Sequence, residues 1–175
     1  RLEQQAESMK SSAIAEAVRA EAYEYVAPLA CWYFSYWSDV AHTRMEIQAL
    51  PQRRAIFTFP TNDDLFAVFV GFPTEEFPRV RADVEGSVLA ALDLAPRLGE
   101  RVRAGRRVER FYGTADMPNF LRKPFGPGWA LVGDAACHKD PYLALGVCDA
   151  LRDAELLADA AHLGLAELQP LNGAL

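Results

Sequence analysis

Apolar residues recur along this chain with two different periods, and the change from one to the other predicts where helices and strands lie. Residues 1–22 carry apolar side chains at helical spacing among good helix formers, which predicts an N-terminal helical segment. The helical period ends near Tyr23. Residues 29–37 then contain five aromatic side chains in nine positions, a composition typical of a strand.

The central part of the chain predicts a sheet interrupted by helices. Residues 53–71 consist of two apolar runs on either side of the turn-forming sequence Pro-Thr-Asn-Asp-Asp, which predicts a β-hairpin, and residues 44–49 are a weaker strand candidate. Strands joined by short turns pair antiparallel. Residues 79–104 return to helical spacing, with a second short helix expected to begin at Pro96, and residues 108–113 again favour a strand.

Two further elements are predicted near the C-terminal end of the sequence. The run Trp129-Ala-Leu-Val132 has no polar alternation, as expected of a strand covered on both faces, and residues 146–162 are helical in spacing. We therefore predict an α+β fold, in which helices pack on one face of a mostly antiparallel sheet of five or six strands and a long C-terminal helix follows. The predicted division is a helical segment at 1–22, a sheet region at 23–123 with a helical insertion at about 79–104, and a strand, loop and helix at 124–175.

The amino-acid composition excludes several structural classes and several kinds of binding partner. The 175 residues are 51% hydrophobic and 11% aromatic, which is enough to bury a core and excludes intrinsic disorder. A net charge of −6 argues against nucleic acid or an anionic membrane surface as the main partner. No apolar run approaches the roughly 20 residues of a membrane span. The three cysteines show no Cys-x-x-Cys spacing, and their number is odd. Both features favour a reducing, cytoplasmic location.

The candidate chemistry begins where the predicted strand at 129–132 ends. Asp134 stands at the carboxyl end of that strand, where ligands sit in open α/β sheets, and its carboxylate can accept hydrogen bonds from polyol hydroxyls. Gly133 leaves room for a ligand to approach the backbone. Gly146 opens the next helix, whose N-terminal N–H groups favour an anion or an electron-rich oxygen. The structural alternative for Asp134 is a turn or helix-capping carboxylate.

The longer segment GWALVGDAACHKDP, followed by ALGV and DALRDAELLA, is more specific. It resembles the second flavin-binding motif of FAD-dependent oxidoreductases of the aromatic-hydroxylase (p-hydroxybenzoate hydroxylase-like) and geranylgeranyl-reductase-like group. The preceding residues look like the antiparallel substrate-domain sheet of that group, so that the resemblance covers about residues 12–163. The positions that match the motif are Gly133, Asp134, Ala135, His138, Pro141, Gly146, Asp149, Ala150, Asp153, Ala154 and Leu157.

The resemblance implies a role for each of these loop residues. Asp134, with Gly133 beside it, is expected to contact the ribityl chain of FAD. Pro141 and the stretch Ala144, Leu145, Gly146 and Val147 are expected to line the edge of the isoalloxazine ring, with backbone N–H groups near the pyrimidine carbonyl. That arrangement stabilises negative charge on reduced flavin, which the helix dipole also favours.

The same resemblance implies a reaction class and a missing part. The Gly-x-Gly-x-x-Gly unit that holds the ADP half of FAD in the group does not occur here. We therefore expect the substrate-domain and second-motif portion of an FAD-dependent oxidoreductase, monooxygenase-like, without its Rossmann half. NAD(P)H would reduce the flavin, and a small apolar or aromatic substrate would be oxidised. The sequence leaves open the substrate, the choice of NADH or NADPH, and whether the chain is a fragment or stands alone.

Aromatic side chains supply the candidate substrate pocket. Alternation along residues 32–37 sends one set to each face of the strand, and the residues proposed for the pocket are Tyr33, Tyr36 and Trp37. Core packing explains such a run equally well. His138 is the one histidine near the motif, and we expect a surface-loop position for it more than a role as general base. We nominate no catalytic residue and no metal site.

A second hypothesis is a non-catalytic module with the same fold. It would bind small molecules or oligomerise through its sheet, without flavin. The leucines at 143 and 145 support it, because bulky side chains beside a flavin ring would crowd it. Under either hypothesis we expect self-association or a separate dinucleotide-binding chain to cover apolar surface.

Overall fold

The computed structural model describes residues 12–41 and 44–168, which form two compact units. The sheet unit comprises 27–117, and the C-terminal unit combines 12–26 with 118–168. These boundaries differ from the predicted ones at 22/23 and 123/124, because the strand that begins at Ala22 pairs with one that ends at Arg122. Of the predicted N-terminal helical segment, residues 1–11 lie outside the described residues.

One antiparallel sheet organises the sheet unit. Its strands are β2 (Ala30–Ser38), β3 (Glu46–Leu50), β4 (Arg54–Pro60), β5 (Phe66–Pro73), β6 (Arg106–Arg107) and β7 (Tyr112–Thr114). The predicted hairpin is confirmed as β4 and β5, in which Phe57 lies opposite Phe69. The strands lie in the order β3-β4-β5-β2-β6, and β7 also pairs with β2.

Three helices cover one face of this sheet: α2 (Phe77–Ala82), α3 (Val84–Asp93) and α4 (Pro96–Ala104). The first predicted helix is divided in two at Asp83, whose side chain accepts a hydrogen bond from Gly86 N–H at 2.9 Å and so begins α3. The helix predicted to begin at Pro96 does so. Their apolar side chains join those of the strands in one buried core, which confirms the α+β prediction.

The strand predicted over 108–113 is interrupted. Strands β6 and β7 flank residues 108–111, of which Val108 still donates its N–H to the Tyr36 carbonyl of β2 at 2.9 Å. The carbonyl of Glu109 accepts a hydrogen bond from the Ser35 hydroxyl at 2.8 Å instead of from a backbone amide of the ladder. Three positions separate Phe34 from Trp37 in β2, but five separate their partners Tyr112 and Arg107, so the predicted strand bulges away from β2 at this point.

The C-terminal unit is built around a small antiparallel sheet and a long helix. Strands β1 (Ala22–Val26), β8 (Asn119–Arg122) and β11 (Cys137–His138) form the sheet in the order β1-β8-β11. The other elements of the unit are α1 (Ala13–Ala17), the hairpin of β9 (Phe125–Gly126) and β10 (Trp129–Ala130), and α5 (Gly146–Leu168). None of the helices in the described ranges is both long and apolar enough to cross a membrane.

The fully buried strand predicted at 129–132 is wrong. Only Trp129 and Ala130 of this run pair in a strand ladder, and both are half-buried, although the backbone of Val132 is extended as well. Their partner β9 follows Pro124, which has no N–H to continue a ladder, although its carbonyl accepts from Leu131 N–H at 2.7 Å. A strand extends only as far as its partner supplies backbone groups, and here that partner is two residues long.

Candidate functional site

Gly133 and Asp134 lie in a tight turn on which α5 packs. Residues Gly133–Ala135 form one turn of 3₁₀-helix. Gly133 has φ +57°, in the left-handed region that favours glycine. A Cβ on Gly133 would lie 2.9 Å from the Cβ of Ala150 in α5, closer than real side chains approach. Position 133 therefore needs glycine both for its backbone conformation and for the close approach of the helix.

Polar contacts hold this turn from two sides. The Gly133 N–H donates to Asp153 Oδ2 of α5 at 3.1 Å. The Arg122 guanidinium of β8 donates to the Ala135 carbonyl at 3.0 Å and also lies over the ring of Phe120, 4.4 Å from its centroid. The turn is thus tied to the sheet and to the helix of the same unit.

The loop between the turn and α5 is also ordered by polar contacts. Asp140 receives a hydrogen bond from Tyr142 N–H at 3.0 Å, and the Asp140 N–H donates to the Asn119 side chain at 2.7 Å. Pro141 begins a 3₁₀ turn that ends at Leu143, and Ala144 has φ +52°. This left-handed residue redirects the chain so that α5 begins at Gly146.

Asp134 and the start of α5 border a common cleft. A Cβ on Gly146 would lie 3.8 Å from Asp134 Oδ1, so that the carboxylate stands beside the first residue of the helix. The cleft has a volume of about 90 Å³. Its lining residues are Gly133, Asp134, Cys137, Lys139, Gly146, Asp149, Arg152 and Asp153. Three of the predicted site residues, Gly133, Asp134 and Gly146, are therefore brought together.

The N-terminal end of α5 presents backbone donors. The Asp149 N–H bonds to the Leu145 carbonyl at 2.9 Å, as in any helical turn. The amides of Gly146, Val147 and Cys148 precede this bond and belong to the first turn, whose N–H groups have no carbonyl partner within the helix. Together with the helix dipole they favour an electron-rich oxygen at this end of α5.

A charge cluster lies along the same helix turn. Asp149 bonds to Arg152 at 2.6 Å and to Lys139. The Lys139 ammonium, and then Arg152, lower the pKa of the Asp149 carboxyl below its ordinary value. The same contact with Asp149 raises the pKa of Lys139. Asp149 is thus held as a carboxylate, and it fixes two cations at the edge of the cleft.

The other predicted loop residues lie beside the cleft and do not line it. Pro141 and Ala144 are half-buried, while Leu145 and Val147 are 48% and 74% exposed. Leu143 is 62% exposed. Both leucines are exposed and neither lines the cleft, so they do not fill the space between Asp134 and Gly146.

Sequence reasoning gave no role to Lys139, Arg152 and Asp153, which line the cleft with the predicted residues. A signal for part of this set was available. Gly146, Asp149 and Asp153 are spaced three and four residues apart, so that they lie on one face of a helix. What the sequence did not show is that this face meets the Gly133 turn.

The three aromatic residues proposed for the substrate pocket do not lie together. Tyr33 and Trp37 are 8% and 5% exposed and belong to the core between the sheet and its helices. Burial raises the pKa of Tyr33. Tyr36 projects from the opposite face of β2, because side chains alternate along a strand. The three residues therefore do not line one pocket, which corrects the prediction that groups them.

The face of the sheet opposite its helices carries a stack of aromatic rings. Phe34 stacks on Phe69 with centroids 4.5 Å apart and lies 5.5 Å from the ring of Tyr112. Trp32 stacks on Phe57 at 4.9 Å. The aromatic residues of this face, which we call the aromatic face and of which Tyr36 meets Phe34 edge to face, are Trp32, Phe34, Tyr36, Phe57, Phe59, Phe69 and Tyr112. Period-two alternation in each strand was the signal for it, but the pairing of the strands was needed to join them.

His138 is buried, so the predicted surface-loop position is wrong. It is 2% exposed and its ring stacks on Phe120 with centroids 5.3 Å apart. Its Nδ1 hydrogen-bonds to the carbonyl of Pro118, which can only accept, so Nδ1 carries the proton. His138 therefore fills the core of the C-terminal unit and does not line the cleft.

Comparison with known proteins places the fold. No protein-family model and no curated protein matches the sequence. Solved structures do match. The myxobacterial chondrochloren halogenase CndH, an FAD-dependent halogenase, matches with a TM-score of 0.69 and 24% identity, over 82% of this chain and 36% of that one.

Two further structures agree. PqsL of Pseudomonas aeruginosa, described as a probable FAD-dependent monooxygenase, matches with a TM-score of 0.68 and 22% identity over 95% of this chain and 47% of that chain. The flavin-dependent brominase Bmp2 matches with a TM-score of 0.64 and 19% identity over 75% of this chain and 35% of that chain. The likeness predicted from the motif is confirmed at the level of the fold. The chain shares the fold of a part of these FAD-dependent enzymes, 35% to 47% of their length.

Proposed function

We propose that this chain forms the flavin-contacting and substrate-side part of an FAD-dependent oxidoreductase, monooxygenase-like. The observation that carries the proposal is the position of Asp134 beside the N-terminal end of α5 across one cleft. A carboxylate that accepts from hydroxyls, facing amides that donate to a carbonyl, suits the two ends of a ribityl-linked flavin. The folds of CndH, PqsL and Bmp2 support the same cofactor.

The size of the cleft limits what it would hold. Pockets for drug-sized ligands have volumes of about 300–1,000 Å³, whereas this cleft has about 90 Å³. It would accommodate a segment of FAD near the ribityl chain and not the whole cofactor. The residues present therefore fit FAD in chemistry, while the remaining groups of the cofactor would be bound by other parts of the protein.

In this proposal each residue has a defined task. Asp134 accepts hydrogen bonds from ribityl hydroxyls, and the amides at Gly146 and Val147 stabilise negative charge on the pyrimidine carbonyl oxygen. Pro141, Ala144 and Leu145 would border the edge of the flavin ring. FAD, when bound and reduced by NAD(P)H, supplies the redox chemistry.

We also propose that the aromatic face binds the substrate, a small apolar or aromatic molecule. Phe34, at its centre, is half-buried, as are Tyr36, Phe59, Phe69 and Tyr112, so that these rings are partly open to solvent, whereas Trp32 and Phe57 are each 4% exposed. Such a surface binds planar apolar groups by stacking and by burial of apolar area. Tyr36 is the one of the three predicted pocket residues that remains in this proposal.

Flavin titration tests the proposal. FAD added to the purified chain should quench Trp129 emission and acquire a protein-bound visible spectrum. Asp134→Ala should weaken that binding about tenfold, the effect of losing a charge-assisted hydrogen bond. Asp159→Ala removes an exposed carboxylate further along α5 and serves as the matched control.

The outcome that contradicts the proposal also identifies its competitor. A colourless protein that ignores FAD yet binds apolar ligands would be the non-catalytic module, whose support is the aromatic face. Equal FAD binding by the Asp134→Ala variant and the native chain would remove Asp134 from the site.

A further proposal concerns partners. Helix α5 exposes four large apolar side chains by 60% or more: Val147 and Leu151 lie on one side of the helix, and Leu156 and Leu163 lie on the other. We propose that a second copy of the chain or a separate dinucleotide-binding chain covers this apolar surface, since monomers seldom leave such patches open.

A further inference from the structure

Helix α5 touches the Gly133 turn through two residues of a single helix face. Ala150 and Asp153 are three positions apart, so that their side chains lie one above the other. Ala150 is the nearest neighbour of the position a Gly133 Cβ would take, and Asp153 accepts from the Gly133 N–H at 3.1 Å. The contact therefore combines close packing of Ala150 against Gly133 with a hydrogen bond from the Gly133 N–H to Asp153.

The hydrogen bond falls on a backbone group that needs a partner. Gly133 is buried and lies at the start of a 3₁₀ turn, where N–H groups have no partner within the helix. An amide buried without a partner is costly, and a carboxylate is a stronger acceptor than a neutral oxygen. Asp153 thus fixes the backbone immediately before Asp134.

We propose that Asp153 is a positioning residue, which locks the Gly133–Asp134 turn against α5 so that the Asp134 carboxylate faces the start of that helix. This inference rests on the proposed function, because it assigns to Asp153 an effect on flavin binding through Asp134. Asp153 also lines the cleft, so direct contact with the cofactor is the competing explanation, and the experiment must separate the two.

A double-mutant cycle in the 175-residue chain makes that separation. The variants are Asp153→Ala, Asp153→Asn, Asp134→Ala and the double variant Asp134→Ala/Asp153→Ala, with Asp159→Ala as the control on the same helix. Asp153→Ala should raise the Kd for FAD about tenfold. Asp153→Asn should restore most of the affinity, because its amide oxygen still accepts from Gly133 N–H. In the Asp134→Ala background, removal of Asp153 should change the Kd less than twofold, since the residue through which it acts is gone.

A second measurement does not need flavin. Amide hydrogen exchange should show that Asp153→Ala lowers the protection of residues 133–136 at least tenfold, while exchange in β2 and β5 stays unchanged. Asp159→Ala should leave both regions unchanged. Unchanged sheet exchange also shows that the variant is folded.

The outcomes are distinguishable. Native affinity in Asp153→Ala, or additive losses in the double variant, would overturn the positioning role. If the native chain binds no FAD, the proposed function fails, and hydrogen exchange alone then decides whether Asp153 locks the turn: unchanged protection at 133–136 would overturn that as well.

Discussion

Two glycines of the C-terminal unit differ sharply in what surrounds them. Gly133 combines a left-handed backbone with a neighbour 2.9 Å from the place a Cβ would take. Gly164 lies in α5 with nothing within 4 Å of the same place. The same substitution should therefore have opposite effects at the two positions.

We predict that Gly133→Ala lowers the free energy of unfolding by about 1–3 kcal/mol, because alanine at positive φ is strained and its methyl group meets Ala150. Gly164→Ala should raise it by about 0.5–1 kcal/mol, through loss of backbone entropy in the unfolded chain. Urea unfolding of both variants checks this. Equal destabilisation by the two substitutions would contradict the assigned conformation of Gly133.

At the scale of elements, the charge cluster links the loop before α5 to its second turn. Asp149 bonds to Lys139 and Arg152, whose side chains are 47% and 62% exposed. Lys139 and then Arg152 lower the pKa of Asp149 from its ordinary 3.8. A carboxyl whose pKa is lowered in the folded state stabilises that state above the unfolded pKa, and the contribution disappears as the pH falls through the folded pKa.

Asp149→Asn should consequently be less stable than the native chain at about pH 7 and should approach it as the pH falls below about 3.8. Thermal unfolding across that range measures the difference. Asp159→Asn, an exposed carboxylate of the same helix, should show a smaller difference at neutral pH. A gap between Asp149→Asn and the native chain that persists in acid would assign the effect to packing instead of charge.

Strand β2 allows a comparison of the two faces of the sheet with neighbouring residues. Phe34 stacks on Phe69 in the aromatic face, while Tyr33 is buried against the helices. We predict that Phe34→Leu weakens the binding of indole, a planar aromatic probe, several-fold with little loss of stability, because it removes a ring from the proposed platform.

Tyr33→Leu should do the reverse. It should lower the free energy of unfolding by about 1–3 kcal/mol, since it leaves space in the core, and leave indole binding unchanged. Fluorescence titration and urea unfolding of the two variants give the four values needed. If Tyr33→Leu abolished indole binding and Phe34→Leu retained it, the binding site would lie on the helix-covered face of the sheet, and the proposed aromatic platform would be contradicted.

At the scale of the whole molecule, the chain corresponds to less than half the length of the solved structures compared above, and α5 exposes leucines on two sides. We predict concentration-dependent self-association of the purified chain, measured by sedimentation velocity. Leu151→Lys/Leu156→Lys should reduce it, whereas Glu155→Lys, which changes the charge by the same amount, should not. A native chain that sediments as a monomer at every concentration would contradict the prediction.

Local patterns were sufficient for many elements of this fold. Alternation and turn residues predict the β4–β5 hairpin, and proline and helical spacing predict the start of α4, because both signals act through neighbours in the sequence. The strand predictions that failed did so because of contacts with residues that are distant in the sequence. A bulge opposite Ser35 of β2 interrupts the predicted strand near Glu109, and the short partner β9 ends the strand after Ala130.

The sequence by itself determined the α+β class and the helix that begins at Gly146, and it predicts Gly133 and Asp134 as cofactor-binding residues. Only the tertiary structure decided that Asp153 and Ala150 of α5 meet Gly133, that His138 is buried, and that the face of β2 with Tyr33 is the one that packs against the helices. The reason is physical. Period and turn chemistry are set by residues a few positions apart, whereas contacts across a cleft or between strands depend on chain segments that only folding brings together.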